Sequence, residues 1–241
     1  MKKINLIMTG IALGAAMCLM TSVSQATIVG SAHDFSVSTN YWVNGTVNWD
    51  VAHGSTNVCG ECHTIHHAPD TTTGPLWIHT PTAQTFKTYD QGVSETYSGT
   101  PISLGTSKAC LSCHDGSVAI NSQDSLSGGV VSTAVSGTTP VFIKSSAVIV
   151  EVTGTVDDLT HMHPIGLNYA TARSTLAVGE LNNPSTQVSG AGGSISQVML
   201  KSGNVECSSC HDIHRTQGAS GTSGIMTIVG GQALCLTCHN K

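Results

Sequence analysis

The first strongly apolar stretch of the chain covers residues 4–20. Lys2 and Lys3 precede it, and the small-residue sequence Ser-Gln-Ala follows at residues 24–26. A positive start, an apolar run and a small-residue cleavage site together are typical of a secretory signal peptide. We therefore predict a signal peptide at residues 1–26 and a secreted mature chain beyond it.

Two alternatives to cleavage stay open. The apolar run could remain as a membrane anchor, although it is short for a bilayer span. Cys18 could carry a lipid, although Met17 directly before it matches a lipoprotein site poorly. No later apolar run is long enough to cross a bilayer, so we predict no membrane span in the mature form.

Beyond the signal peptide, the clearest regular pattern lies in the middle of the chain. The runs at residues 130–135 and 140–152 are rich in Val and Ile and are separated by Gly, Ser and Thr. This pattern predicts a small hairpin or sheet, within a β-rich insertion at about residues 121–200. Residues 170–194 contain many small and turn-forming residues, and we predict that they are mostly loop.

The composition leaves little material for an ordinary apolar core. Aromatic residues make up 4% of the chain and charged residues 10%. Disorder is normally accompanied by high charge, which this chain lacks. A secreted chain with so few bulky side chains needs disulfides, metals or large cofactors for cohesion.

The net charge excludes one class of partner. Without the signal peptide, seven Lys and Arg oppose 14 Asp and Glu, which gives a formal charge of −7. Nucleic-acid binders carry a basic surface instead. We therefore expect no nucleic-acid partner.

All eight cysteines of the mature chain belong to four copies of one motif, C-x-x-C-H. The copies read CGECH, CLSCH, CSSCH and CLTCH, with cysteines Cys59, Cys62, Cys110, Cys113, Cys207, Cys210, Cys235 and Cys238. This motif attaches c-type haem. Two thiols form thioethers with the porphyrin vinyl groups, and the adjacent histidine binds the iron as proximal ligand. The sequence therefore predicts four covalently bound haem c groups, with the proximal ligands His63, His114, His211 and His239.

Disulfides or zinc sites are the alternatives for these cysteines. Zinc sites also use C-x-x-C pairs, commonly about 15–20 residues apart. Neither alternative explains why a histidine follows every pair and why no cysteine is left over.

The distal position of each iron also needs a ligand or stays open. The chain has 12 histidines, so eight remain after the four proximal ones, against three methionines in the mature chain. This surplus favours bis-histidine ligation and low reduction potentials. An open iron would instead indicate substrate chemistry.

Two distal candidates follow from spacing. His66 lies three residues after His63 in CHTIH, and His214 lies three after His211 in CHDIH. The second histidine cannot reach the far face of its own haem, because the macrocycle lies between them. We therefore predict that each caps a neighbouring haem. The alternative is a polar histidine on the surface of the helical turn.

The other two distal candidates are His163 and His33. Pro164 fixes an extended backbone at His163, and His161, two residues earlier, is the reserve. The remaining competitors are His53, His67 and His79, which we expect to bond haem propionates or face solvent.

These patterns predict a single domain over residues 27–241. Its fold is mostly irregular, with short α-helices around the haems and a small β-rich insertion between one haem pair at residues 59–114 and another at residues 207–239. The haems, rather than two independent hydrophobic cores, would supply the centre, and Trp77 would pack on haem. We expect less regular secondary structure than in average globular domains.

The chain resembles the doubled-CxxCH multihaem c-type cytochromes. The resemblance rests on HDFS, CGECHTIHHAPDTTTGPLW, CLSCHDGSVAI, HPIG, CSSCHDIH and LCLTCHNK, which occur in this order. Within that group it is most similar to extracellular tetrahaem cytochromes that polymerise into conductive filaments. The resemblance implies four stacked bis-histidine haems, distal ligands at His33, His66, His163 and His214, and a distal histidine that can come from the next subunit. At CHTIHH, His67 can replace His66.

We therefore predict an electron-transfer protein rather than an enzyme. The leading hypothesis is a secreted filament subunit at or outside the cell surface, which self-associates and exchanges electrons with other multihaem cytochromes and with extracellular acceptors such as metal oxides. A monomeric periplasmic electron shuttle is the first alternative. A multihaem oxyanion reductase with one open haem is the second.

Overall fold

The computed structural model describes residues 28–29, 31–35, 58–60, 62–64, 66, 68, 73–88, 104–122, 140–152, 157–188, 192–214 and 231–240. The predicted signal peptide, the apolar run at residues 130–135, and the histidines His53 and His67 lie outside these ranges.

The regular elements are short. The helices are α1 (Ser107–His114), α2 (Tyr169–Thr175), α3 (Cys207–Cys210) and α4 (Gly231–Cys238), with a 3₁₀ turn at Ser145–Ala147 and a π-helical turn at Ile195–Met199. The strands are β1 (Phe86–Lys87), β2 (Glu151–Val152), β3 (Asp157–Asp158), β4 (Leu167–Asn168), β5 (Gln187–Val188), β6 (Gly193–Ser194) and β7 (Asn204–Val205). Within the described ranges, no helix combines the length and apolar character that a bilayer crossing requires.

The strands form small sheets that join distant parts of the chain. β3 lies between β1, to which it is parallel, and β2, to which it is antiparallel. β4 pairs with β7, and β5 pairs with β6, both antiparallel. The β4–β7 pair leads directly into the third CxxCH motif, because α3 begins two residues after β7.

The segment at residues 140–152 forms less strand than its composition predicts. Its end, β2, joins a sheet, but its partner β3 and the third strand β1 both lie outside the segment. In its middle, Ala147 donates its backbone N–H to the carbonyl of Lys144 at 2.8 Å, which closes a 3₁₀ turn. Lys and Ser have little tendency to form strands, so the polar centre of this run interrupts it.

The described residues of the range 170–194 are mostly outside helices and strands, as predicted, but the range begins within α2 and also contains β5 and β6. The Asn168 side chain caps this helix by accepting a hydrogen bond from the backbone N–H of Thr171 at 3.1 Å. Tyr169 and Ala172, three positions apart, are both buried. Because the helix turns only two side chains inward, it shows little hydrophobic periodicity, and its capping residue is the clearer signal.

Side chains alone build more apolar packing than the composition suggests. In the second half, one cluster is formed by Leu167, Tyr169, Ala172, Leu181, Ile195, Met199, Leu200, Val205 and Leu234. In the first half, two smaller clusters around Ile120 and Leu111 share the partly buried Val148. We expected that the chain would lack two independent hydrophobic cores. For the described residues this expectation is wrong.

The two halves meet at the start of two motif helices. The hydroxyls of Thr106, just before α1, and Ser208, in α3, are 3.0 Å apart. Ser107, the first residue of α1, donates its hydroxyl to the carboxylate of Glu206, the residue before α3. The second and third CxxCH motifs are therefore held side by side.

Candidate haem site

The four motifs adopt the helical turn that haem attachment requires. In three of them, the backbone N–H of the histidine bonds the carbonyl of the first cysteine, at 2.9 Å for His63, 2.9 Å for His211 and 2.8 Å for His239. The remaining motif, ending at His114, lies inside α1. This turn brings both thiols and the histidine of each motif into one region, as thioether attachment of a single porphyrin demands.

His63 faces His214. Their ring centres are 6.2 Å apart with 37° between the ring planes. Nδ1 of His63 lies 2.8 Å from the carbonyl oxygen of Pro75 and donates to it in the Nδ1–H tautomer. The edge of the buried Trp77 ring contacts His63, with 5.8 Å between centres. His63 is thereby held with Nε2 as its remaining nitrogen.

A strained turn places the carbonyl that bonds His63. Leu76 has a φ of 54°, a left-handed backbone conformation that costs a non-glycine residue about 1–2 kcal/mol. The carbonyl of Leu76 accepts the backbone N–H of Thr64 at 2.9 Å, and the backbone N–H of Ile78 bonds the Cys62 carbonyl at 3.0 Å. These bonds tie the turn to the first motif and offset its strain.

His114 faces His33 in the same way. Their ring centres are 6.1 Å apart with 45° between planes, and Nδ1 of His114 lies 2.8 Å from the Ala147 carbonyl oxygen. Burial lowers the pKa of His33 to about 4, helped by the repulsion that a charged His33 would meet from His114 and His211. A neutral imidazole is the form that binds a metal.

His239 faces His163. Their ring centres are 6.2 Å apart with 77° between planes, and Nδ1 of His163 lies 3.0 Å from the Pro164 carbonyl oxygen. His161 and His163 are both exposed, but in the described part of the chain His161 makes no such ring contact. The structure thus brings His163, rather than its reserve, to a proximal histidine.

The three ring pairs fit an iron atom between them. A histidine nitrogen binds a metal at about 2 Å, which places the ring centre roughly 3 Å from the metal and two opposed ring centres roughly 6 Å apart. Histidines that bind metals usually donate their other nitrogen to a carbonyl or carboxylate, which fixes the tautomer and the ring direction. One histidine in each pair does this, so these residues fit bis-histidine haem ligation.

The distal partner of His211 remains a prediction. His66 is exposed, and its backbone carbonyl accepts the Thr64 hydroxyl at 3.0 Å. His67, the alternative, lies outside the described residues, as does His53. Desolvation lowers the pKa of His211, and repulsion from His114 lowers it further, so the second and third proximal histidines are neighbours.

Consecutive motifs are neighbours throughout the chain. The thiol of Cys113 interacts electrostatically with that of Cys62, which links the first and second motifs. Cys210 interacts in the same way with Cys238, which links the third and fourth. Within the described residues, the four attachment points therefore form one series in the order of the sequence, joined in the middle by the second and third motifs.

The middle pair of thiols has the strongest mutual influence on pKa. A hydrogen bond between Cys110 and Cys207 raises the pKa of Cys110 and is the main reason that the pKa of Cys207 falls to about 7. By contrast, burial raises the pKa of Cys210 to about 11, with Cys238 adding to the shift.

His79 is buried, so the expectation that it faces solvent is wrong. Its Nε2 lies 3.1 Å from the Ala119 carbonyl oxygen and 3.6 Å from Sγ of Cys113. Burial lowers its pKa to about 4, although the Ala119 bond opposes the shift. Its Nδ1 is buried without a hydrogen-bond partner. A propionate bond to His79 stays a prediction.

Glu206 and Ser107 were not among the site residues predicted from the sequence. Glu206 is 2% exposed and Ser107 is 0% exposed, both unusual for such polar side chains. The available signal was positional: an acidic residue directly before a motif helix, at the place where capping side chains bind backbone N–H groups.

Two alternatives for the cysteines can be compared with this geometry. None of the eight motif cysteines takes part in a disulfide. Over the ranges that the structure describes, no group of three or more His, Cys, Asp or Glu side chains could hold a metal ion, whereas zinc sites normally use three or four protein ligands.

No model of a known protein family matches the chain, and no curated protein matches it.

Proposed function

We propose that this chain is a tetrahaem c-type cytochrome that transfers electrons. The observation that carries the proposal is the pairing of His63 with His214, His114 with His33 and His239 with His163. In each pair a CxxCH histidine opposes a second histidine across 6.1–6.2 Å. The separation alone is not distinctive, since the His33–Phe35 and Trp77–His79 rings are also 6.2 Å apart. What supports the proposal is that three of the four CxxCH histidines each have a second histidine as ring partner.

The chain's own residues have three tasks in this function. The eight motif cysteines anchor the haems, the paired histidines hold the iron, and the backbone carbonyls behind Nδ1 keep the rings in place. Bound haem supplies one-electron chemistry, and the surrounding protein sets its potential through ligands, burial and hydrogen bonds.

The series of neighbouring motifs supports transfer along the whole chain. Consecutive motifs lie close enough for their thiols to influence each other electrostatically, at Cys62 and Cys113, Cys110 and Cys207, and Cys210 and Cys238. Because each haem is attached at these atoms, haems on consecutive motifs would lie close together. Electrons could then enter at one end and leave at the other.

A reductase would need a haem iron with a free axial position. The histidine ring pairs limit which of the four haems could have one. In the proposed arrangement, the ring pairs would fill both axial positions at the haems of His63, His114 and His239. An open site is therefore restricted to the haem of His211. We propose that His66 or His67 caps this haem, so the protein acts as a carrier rather than an enzyme.

We also propose that the protein works outside the cell as a filament subunit, with other multihaem cytochromes and external acceptors such as metal oxides as partners. This part rests on the sequence resemblance. The three ring pairs lie within one chain, so a distal histidine from a neighbouring subunit could serve only at the His211 haem. A periplasmic monomeric shuttle remains the alternative.

Two measurements test these proposals. Mass spectrometry and absorption should find four covalently attached low-spin haems that do not bind carbon monoxide; a haem-free secreted chain would end the cytochrome proposal. Electron microscopy of secreted protein should show filaments, and small particles alone at high concentration would favour the shuttle. Eight ionised propionates would bring the charge from −7 to about −15, so both salt and divalent cations should be varied.

A further inference from the structure

One buried carboxylate joins the helices of two attachment motifs. Oε2 of Glu206 accepts the hydroxyl of Ser107 and also the backbone N–H of Ser107 at 3.3 Å. The Ser107 hydroxyl in turn accepts the backbone N–H of Cys207 at 2.9 Å. Glu206 precedes α3 and Ser107 begins α1, so this network connects the second and third motifs directly.

A further bond of the same network ties Glu206 to helix α3, which it precedes. Its backbone N–H donates to the Ser209 hydroxyl at 2.9 Å. Next to it, the hydroxyls of Thr106 and Ser208 are 3.0 Å apart. The two helix starts are therefore joined by several bonds, in a region where both Glu206 and Ser107 are almost fully buried.

The shape of the site is tight around the carboxylate. Gly105 has a φ of 39°, and a Cβ at this position would lie 2.7 Å from Oε1 of Glu206. A carboxyl group in such a dry site is costly unless it is hydrogen-bonded. An ordinary capping side chain bonds the start of its own helix at the surface. The Glu206 carboxylate, which precedes α3, instead bonds the first residue of α1.

We call this network the Glu206–Ser107 joint. It helps to place two atoms to which haem would attach, Sγ of Cys110 and Sγ of Cys207. Ser107 lies one helical turn before Cys110, and Glu206 immediately precedes Cys207. The thiols of Cys110 and Cys207 influence each other's pKa beside this network. This is also where the first-half haem pair meets the second-half pair.

We propose that Glu206, together with Ser107, is a positioning residue that fixes the separation and orientation of the haems on the second and third motifs. This inference rests on the proposed tetrahaem function. The joint controls how readily electrons pass between the two halves, while the attachment and axial ligation of each haem do not depend on it.

The test compares holoproteins carrying Glu206→Ala, Glu206→Gln and Ser107→Ala, with Glu180→Ala as the control. Glu180 is a partly exposed acidic residue in the second half, and the bond that its backbone carbonyl accepts from Asn240 does not need the side chain. The measurement is circular dichroism in the Soret band, where closely spaced haems produce a coupled signal that depends on their mutual geometry. Haem content and spin state are recorded on the same samples.

The Glu206→Ala and Ser107→Ala variants should keep four low-spin haems but lose part of the coupled signal. Gln retains an acceptor oxygen for Ser107, so Glu206→Gln should largely restore the signal, and Glu180→Ala should match the parent. Flash photoreduction should show slower redistribution of electrons among the haems in the two variants that lose signal.

An unchanged coupled signal and unchanged redistribution in Ser107→Ala would overturn the inference. Ser107→Ala removes a single hydroxyl, so it keeps the test decisive if Glu206→Ala does not fold. If the parent protein carries no haem, the proposed function fails instead, and haem content distinguishes that result from a failure of the joint alone.

Discussion

The imidazole rings of His63 and His214 face each other with their centres 6.2 Å apart, although each follows a different CxxCH cysteine pair. His214 lies three residues after His211, the proximal histidine of its own motif. The third motif would thus anchor one haem while supplying the distal ligand of another. A substitution that removes one of these two roles should leave the other intact.

The His214→Ala variant should therefore keep all four covalent haems and convert one of them to a high-spin iron that binds carbon monoxide. Its reduction potential should shift because one axial ligand is lost. Electron paramagnetic resonance and carbon monoxide titration measure this change. Four low-spin haems in the variant would show that His214 is not an axial ligand.

His163 and His161 form a matched pair for the fourth motif, since they are two residues apart in the same segment. His163 lies opposite His239 and bonds the Pro164 carbonyl. We expect His163→Ala to produce one high-spin haem and His161→Ala to retain four low-spin haems. The reverse pattern, read from the same spectra, would assign the ligand to His161.

The haem site could be predicted from the sequence because CxxCH is a local unit, and one helical turn determines its geometry. The sequence also indicated His33, His163 and His214, which the structure places opposite proximal rings. It could not indicate the Glu206–Ser107 joint. That contact joins residues far apart in the sequence, and neither residue belongs to a recognisable motif.

The fold was harder to anticipate than the site. Helix α2 contains small and polar residues, so its pattern resembled loop, and its buried side consists only of Tyr169 and Ala172. Tyr169 further bonds the carbonyls of Asn182 and Cys238 through its hydroxyl, at 3.0 and 3.2 Å. Such tertiary contacts override weak local propensity and leave no trace in the sequence pattern.

The apolar cluster of the second half should contribute to stability in its own right. Ile195 is 0% exposed in that cluster, so Ile195→Ala should lower the free energy of unfolding of the holoprotein by about 2–5 kcal/mol. The fully exposed Val178 is the control, and Val178→Ala should stay within about 0.5 kcal/mol. Denaturant titration measures both; equal small effects would mean that this cluster contributes little.

The buried Glu206 predicts a pH dependence of stability. Burial raises its pKa above 4.5, although the bonds from Ser107 oppose the shift. The folded state therefore holds the proton more tightly than the unfolded state does. The stabilising contribution of the protonated form is complete below about pH 4.5 and is lost as the pH rises through the folded pKa.

Glu206→Gln removes this titration while retaining the shape of the side chain. The unfolding free energy of the parent minus that of the variant should therefore fall from acid pH towards neutral pH and then become constant. Denaturant titrations of both holoproteins across this range measure the difference, and the haem ligands affect both alike. A difference that grows with pH would mean that the pKa of Glu206 is lowered instead.

The central claim is that four haems are attached and that each iron is held by two histidines. Mass spectrometry of the purified secreted chain, combined with near-infrared magnetic circular dichroism, tests it most directly. The account predicts four covalent haems per chain, all low-spin and with the signature of bis-histidine ligation. A chain whose motif thiols are alkylated by added reagent, with no haem mass, would contradict it, as would histidine–methionine ligation at the haems of His63, His114 or His239.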